Sequence, residues 1–253
     1  MKFSIITVVK NSEDKIEKTI KSIISQSYRN FEYIVIHGLS KDNTINIIKK
    51  YSDNINTFIN EKDEGIYHAM NKGLNLAKGE VIVFVNSGDT LEYNALEIIS
   101  KYFKDFSNIE FIFGTVERKY LKDTIIKTGF NSGKIKYNFD FATCHSTGFF
   151  IKNTSQKILG LYDTTFDCSA DYDLFYRMIV LKKMRGLSTL RNEIIGRVDS
   201  GGFSSKYGFF KHLLEENRIR IKHKQNFILI LVITINKIIK KFYKDLIYFF
   251  KQV

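Results

Sequence analysis

The chain of 253 residues contains no proline, so every turn has to be made by Gly, Asn, Asp or Ser. Cysteine is nearly absent: Cys144 and Cys168 are the only two. They show neither Cys-x-x-Cys spacing nor a disulfide framework, and two buried thiols in a reducing compartment are expected. No run of about 18–20 apolar residues occurs, so no membrane-spanning helix is predicted. The first apolar stretch, Phe3-Ser4-Ile5-Ile6-Thr7-Val8-Val9, is short, follows a single Lys2 and soon meets charge. It reads as a buried parallel strand rather than a signal peptide. Acids are scarce towards the C-terminus. From Lys206 onward eleven Lys and Arg face only Glu215, Glu216 and Asp245, a share of eight in the net charge of +12. A nucleic-acid binder would need such charge interleaved with exposed aromatics or a reading helix on the main domain. Here it sits on an apolar tail, without a recognisable nucleic-acid motif, and no nucleic-acid partner is expected.

What is present is an alternation of strands and helices in the first half. After Lys2–Val9, Asn11-Ser12-Glu13-Asp14 has the residues of a helix start, and Ile16, Ile20, Ile23 and Ile24 fall at helical spacing. Phe31–Ile36 predicts a second strand. Ser40-Lys41-Asp42-Asn43 predicts the head of a second helix, and Asn56–Ile59 a short strand. A helix over Tyr67–Ala77 leads to the β-branched run Glu80–Val85, a central strand covered on both faces. This alternation predicts a doubly wound, mostly parallel sheet, whose ligands bind beyond the carboxyl ends of the strands. Val9-Lys10-Asn11, Ile36-His37-Gly38 and Asn86-Ser87-Gly88-Asp89 all sit at such ends. Further on, Ile109–Val116 reads as one strand, Thr124–Thr128 as an edge partner and Gly148–Ile151 as a short strand. Asp171–Met184 reads as helix, Asn192–Val198 as strand and Lys206–Lys222 as a basic helix.

Two constellations carry chemistry. Asn86–Asp89 is a tight turn in which Asp89 can project over the sheet rim while Ser87 and Gly88 leave room for a phosphate. A diphosphate leaving group calls for a divalent cation with oxygen ligands, although the same four residues also make a plain turn. In Ser169-Ala170-Asp171-Tyr172-Asp173-Leu174-Phe175-Tyr176-Arg177, Asp173 and Arg177 are spaced to pair on one helix face. Asp171, at the helix head, is left to face a cleft or simply to favour the helix dipole.

In order and spacing the motifs resemble the inverting family 2 glycosyltransferases, especially members that build bacterial surface polysaccharides. The resemblance rests on Phe3–Asn11, Ser22-Ile23-Ile24-Ser25-Gln26-Ser27-Tyr28, Phe31–Ile36 with Ser40–Thr44, Lys62-Asp63-Glu64-Gly65-Ile66-Tyr67-His68-Ala69-Met70-Asn71-Lys72-Gly73, and Asn86–Asp89. It covers roughly residues 3–205. The fold it implies is α/β of GT-A type: a Rossmann-like, mostly parallel sheet with an acceptor-side extension and C-terminal helices. It implies a nucleotide-sugar-binding half over 1–115, an acceptor-side and catalytic-base half over 116–205, and basic amphipathic helices over 206–253.

By the same resemblance Asp89 would hold Mg²⁺ or Mn²⁺ on the diphosphate, and Asn86, Ser87 and Gly88 would surround it. Thr7, Val9 and Asn11 would line the nucleoside pocket, Asp63 and Asn71 would touch nucleotide or donor sugar, and Asp171 would be the general base. His145 would meet acceptor or phosphate, and Gly201-Gly202 would belong to a loop closing over the donor. His37 departs from the family, which usually places Asp there to accept from nucleobase or ribose; a neutral imidazole lacks that fixed charge.

In the tail, Phe227–Ile235 is apolar, and Lys237, Lys240, Lys241 and Lys244 then alternate with apolar and aromatic residues. This pattern predicts an interfacial amphipathic helix drawn to anionic lipid. The expected place is therefore cytoplasmic, peripheral on the inner face of the cytoplasmic membrane, with a glycan or lipid-linked acceptor. A helix packed on the protein's own core, or on a second subunit as a homodimer, is the alternative. A nucleotidyltransferase would show a Gly-rich, Lys/Arg-bearing signature after the first strand, and Lys10-Asn11-Ser12-Glu13 is not one. A non-catalytic nucleotide-binding scaffold on the same fold stays open because of His37.

Overall fold

The computed structural model describes residues 1–119, 124–128, 147–199 and 201–250. Strand β1 (Phe3–Val9) is buried at every position, which requires cover on both faces of the sheet. Its alternation supplies that cover. Phe3, Ile5 and Val9 point into one cluster, with Ile16, Ile20 and Ile23 of α1 (Ile16–Ile24). Ile6 and Val8 point into the other. β2 (Phe31–His37) lies parallel to β1, with Phe3 opposite Phe31. α2 (Thr44–Lys49) then returns the chain to β3 (Thr57–Asn60), parallel to β2. α3 (Ile66–Leu76) covers the second face. Gly73 lets it come close, since a Cβ there would stand 2.5 Å from Ile6 Cγ2. β4 (Val81–Phe84) completes a parallel set on the other side of β1.

The region from 90 to 199 departs from the sequence expectation at several points. β5 (Thr90–Leu91) and α4 (Ala95–Asp105) precede β6 (Phe111–Phe113) and β7 (Thr115–Lys119). The single strand expected over Ile109–Val116 is therefore two strands in two sheets. They part at Gly114, where a Cβ would collide with the Ile195 side chain at 2.8 Å. β8 (Thr124–Lys127) pairs antiparallel with β7 at the edge. β9 (Phe149–Lys152) inserts antiparallel between β4 and β6.

α5 (Asn153–Leu159) follows, and then α6 (Ala170–Phe175), which widens into a π-helical turn over Tyr176–Leu181. The helix expected to reach Met184 therefore stops short of it. β10 (Gly186–Ser188) pairs with β6, and β11 (Ile194–Val198) joins β5 and β7. The large sheet runs β10-β6-β9-β4-β1-β2-β3 and the small one β5-β11-β7-β8. Strands from both sides of residue 115 share the large sheet, so these two stretches fold around common core layers.

α7 (Phe209–Lys222) packs on α6, and α8 (Phe227–Phe250) packs on α7. No helix among the described residues is long and apolar enough to cross a membrane. Cys168 is a buried free thiol, its pKa raised to about 11 mainly by burial. Cys144 lies outside the described residues.

Candidate active site

The carboxyl ends of β1, β2 and β4 converge on one rim, because the register aligns Val9 with His37 and Ile6 with Phe84. Asn11 adopts φ +49° there, a left-handed conformation that Asn tolerates better than most side chains. Its N–H donates to Ser40 Oγ at 2.8 Å and its Oδ1 accepts from Lys41 N–H at 2.8 Å. Asn11 thus ties the loop after β1 to the loop after β2, and α1 begins later without a side-chain cap. Ser12 and Ser87 hydroxyls, 2.7 Å apart, join the loops after β1 and β4. Thr7 sits deeper than expected. Its hydroxyl donates to Val85 O at 2.8 Å and accepts from Tyr33 OH at 3.1 Å, so it pins the sheet beneath the rim. Val9 is buried, and its carbonyl accepts from Gly38 N–H at 3.0 Å.

His37 is also inside the protein. Ser40 N–H donates to Nε2 at 3.2 Å, which leaves Nδ1 to carry the proton and donate to Asn60 Oδ1 at 2.6 Å. Both ring nitrogens are therefore engaged within the rim, and the expected direct ligand contact has no free nitrogen to make it. A carboxylate comes to the same place from another segment. Asp63 Oδ2 would lie 3.1 Å from a Cβ on Gly38. Its partners are Lys72 Nζ at 2.8 Å and His68 Nδ1 at 3.5 Å. Burial opposes the Lys72 charge, but Asp63 and Glu61 outweigh it and raise the Lys72 pKa.

The Asn86–Asp89 turn is fastened from α1. Thr19 Oγ1 accepts from Gly88 N–H at 3.0 Å and donates to Asp89 O at 2.7 Å, while Gly88 takes φ +102°, open to glycine at little cost. Asp89 is 8% exposed. Its carboxylate accepts the Thr147 hydroxyl at 2.8 Å and Asp199 N–H at 3.3 Å, and the Asp199 carboxylate pairs with Lys18. Asn86 Oδ1 is buried with no hydrogen-bond partner, a costly arrangement for a polar atom unless a ligand satisfies it. No group of three or more acidic, His or Cys side chains able to hold a metal occurs among the described residues. A hard cation that takes most of its ligands from a diphosphate still fits an orphaned amide oxygen in the same turn as a carboxylate.

Asp171 heads α6, half-buried, and Tyr67 OH donates to its Oδ1 at 3.2 Å. Burial first, and then the Asp171 charge, push the Tyr67 pKa far upward, so the hydroxyl stays a donor. Tyr67 stacks on Tyr162 with centroids 5.7 Å apart. Asn71, one turn further along α3, holds Tyr162 by both ends of its amide: Nδ2 donates to Tyr162 O at 2.9 Å and Oδ1 accepts from Tyr162 N–H at 2.8 Å. Asn71 is therefore a clamp on the segment before α6. Asp63 and Tyr67 are four residues apart, so their Cα atoms lie within about 14 Å. The rim acid and the Asp171 partner belong to one short stretch.

α7 fixes α6 from behind. Glu215 accepts from Asp167 N–H at 2.9 Å and Cys168 N–H at 3.0 Å. The buried Asp173 meets Arg177 Nε and His223 Nε2, each at 2.8 Å, and Lys222 Nζ at 3.3 Å. Gly201 (φ +82°) and Gly202 are exposed, with open space around each Cα. His145 lies outside the described residues. Tyr67, Thr147 and Thr19 carry no separate role in the sequence expectation. The spacing of Tyr67 and Asn71, four apart on one helix face, was the available signal for the first.

A mostly parallel sheet with this polar rim, an antiparallel extension and C-terminal helices is the GT-A fold of nucleotide-sugar-dependent glycosyltransferases. Solved structures agree. Residues 1–349 of S. aureus TarS in complex with UDP-GlcNAc superpose with a TM-score of 0.70 at 17% identity, over 94% of this chain and 72% of that one. The mannosyltransferase PcManGT of Pyrobaculum calidifontis, in complex with GDP-Man and Mn²⁺, superposes with a TM-score of 0.63 at 16% identity, over 87% and 63% of the two chains. A longer TarS chain is matched over 39% of its length. Residues 4–180 match Glycosyl transferase family 2, and the chain belongs to that family. Among its relatives is the Escherichia coli UDP-Glc:alpha-D-GlcNAc-diphosphoundecaprenol beta-1,3-glucosyltransferase WfgD. The two are 29% identical over 224 residues, 88% of this chain and 83% of the relative. A Mycobacterium bovis PGL/p-HBAD biosynthesis glycosyltransferase is 26% identical over 179 residues, 69% of this chain and 68% of the relative.

Proposed function

We propose that the protein moves one sugar, with inversion, from a nucleotide-sugar donor to a glycan or lipid-linked acceptor in bacterial surface polysaccharide biosynthesis. The observation that carries the reading is the Asp171 carboxylate, held by Tyr67 four residues beyond the rim acid Asp63. Asp171 accepts the proton of the acceptor hydroxyl while that oxygen bonds to the anomeric carbon. The bond from that carbon to the diphosphate breaks, and the nucleoside diphosphate leaves with the electron pair. One carboxylate is enough, since no covalent intermediate forms.

Asp63 takes the nucleobase or ribose contact that His37 is too enclosed to make, and Val9 and Asn11 shape the pocket wall with their backbone. Ser87 and Gly88 face the diphosphate, Gly201 and Gly202 belong to the loop that closes over the donor, and His145 lies on the acceptor side. Asn86 Oδ1 and Asp89 are the residues that would hold Mg²⁺ or Mn²⁺. Such an ion, when bound, offsets negative charge on the departing diphosphate. The UDP-Glc in the name of the E. coli relative and the UDP-GlcNAc in the S. aureus TarS complex make UDP-sugars the first donors to test, and the diphosphoundecaprenol acceptor of the former supports a lipid-linked acceptor here. It supports equally a place on the inner face of the cytoplasmic membrane, reached through the C-terminal helices.

The test is a thermal-shift panel of nucleotide sugars with Mn²⁺, followed by transfer assays on Asp171→Asn. One selective donor should raise the midpoint by mass action. Asp171→Asn should keep that shift and lose transfer; a variant as active as the parent sinks the assignment.

A further inference from the structure

Both C-terminal helices leave large apolar side chains uncovered. On α8, Ile228, Val232, Ile235, Ile239, Phe242 and Leu246 recur at steps of three and four residues, each 49 to 71% exposed. This is one stripe along five turns, about 27 Å long. The opposite side of α8 seats Ile230 and Ile233 on the body and carries Lys237, Lys240 and Lys244. On α7, Phe210, Leu214 and Ile221 are 58 to 63% exposed. They share a helix face with Asn217, whose Oδ1 receives the Thr234 hydroxyl of α8 at 3.0 Å. That hydrogen bond sets the α7 stripe against the flank of α8.

We propose that α7 and α8 form one lipid-docking plate, with Phe210, Leu214 and Ile221 inserted beside the α8 stripe. This deepens the membrane contact proposed above and rests on that reading for its partner, though not on the sugar-transfer chemistry. Charge selects the occupant. Lys224, Lys240 and Lys244 make no ion pair among the described residues, and the segment from residue 206 carries eight net positive charges. An isologous contact between two copies would place this charge against itself, whereas an anionic bilayer surface complements it. The plate is also joined to the chemistry, because α7 holds the head of α6 through Glu215 and its middle through Lys222. A bilayer under α7 is thereby set at a fixed distance from Asp171.

The experiment uses the full chain with sedimentable vesicles of phosphatidylcholine alone or mixed with phosphatidylglycerol, together with light scattering for mass. The parent should bind the anionic vesicles, release them at high salt and remain a monomer. Ile239→Glu with Phe242→Glu, and separately Leu214→Glu with Ile221→Glu, should each lower partitioning at least about tenfold. Lys240→Gln with Lys244→Gln should lower it roughly thirtyfold on the anionic vesicles alone. Unchanged midpoints, and an unchanged thermal shift with UDP, confirm that the variants fold. Parent-like binding by the α7 pair overturns the two-helix plate. A parent that ignores vesicles, or that forms a dimer broken by Phe242→Glu, overturns the lipid occupant. Neither result touches the donor shift that tests the transferase reading.

Discussion

Replacing Asn71 by Leu separates two roles that the same residue could play. Asn71 is 8% exposed and Tyr162 is 4% exposed, and the Asn71 amide satisfies both main-chain polar groups of Tyr162 at 2.8 and 2.9 Å. Leucine keeps the bulk and removes both partners. Leaving a buried donor or acceptor unmatched costs about 1–3 kcal/mol. Two such groups, with some relaxation of the segment, give about 2–4 kcal/mol, a large part of an ordinary domain stability. For a chain of this size that lowers the thermal midpoint by roughly 6–12 °C. The assay is differential scanning fluorimetry without any nucleotide, backed by guanidinium unfolding. An unchanged midpoint with weakened donor binding refutes the clamp and returns Asn71 to the ligand. Asn71→Asp sharpens the test. Its carboxylate still accepts from Tyr162 N–H but opposes the Tyr162 carbonyl, so this variant should be destabilised at pH 7. The deficit should narrow in acid, where a protonated carboxyl can donate to that carbonyl.

Tyr67→Phe keeps the stack on Tyr162 and removes the hydrogen bond to Asp171. Losing one bond to a charged group corresponds to about tenfold or more in turnover, with donor KM unchanged; a fall in donor affinity instead would show that Tyr67 serves the nucleotide. Asp163 tests the electrostatics of α7. Burial works against its charge, but Lys222 and the Thr165 hydroxyl and N–H outweigh it and hold its pKa at about 2. A depressed carboxylate stabilises the fold above its unfolded value and loses that contribution as pH falls through the folded one. The stability difference between the parent and Lys222→Met should therefore be full above pH ~4 and shrink towards pH ~2. A difference independent of pH in that window would refute the pairing.

The elements legible in sequence are those whose signal is local. β1, β2 and β4 are continuous apolar runs, and α1 and α3 carry helical spacing, so their type and order follow from periodicity. Their alternation already places Asn11, His37 and Asp89 at strand ends, and the motif order around them led to the family. The division at Gly114 was not legible, because its cause is Ile195, 81 residues away, which occupies the space a Cβ would need. α4 and α5 are two further elements that the sequence expectation lacks. The partners of Asp89 and Asp171 are equally remote: Thr147 and Tyr67 come from other elements, and nothing local in either motif indicates them.

Sequence by itself determined the strand–helix alternation and the polar strand ends, because strand and helix periods and turn chemistry act over a few residues. Tertiary structure decided which of those side chains remain available to a ligand. His37, Thr7 and Asn71 have the polar atoms of binding residues, yet each is turned inward, where a buried donor or acceptor must find a partner in the protein. Asp63 sits at the rim with Lys72 and His68 as its partners, and the Asn86 oxygen is a buried acceptor for which the protein supplies none. That accounting runs over groups brought together from across the chain, and only the folded packing completes it.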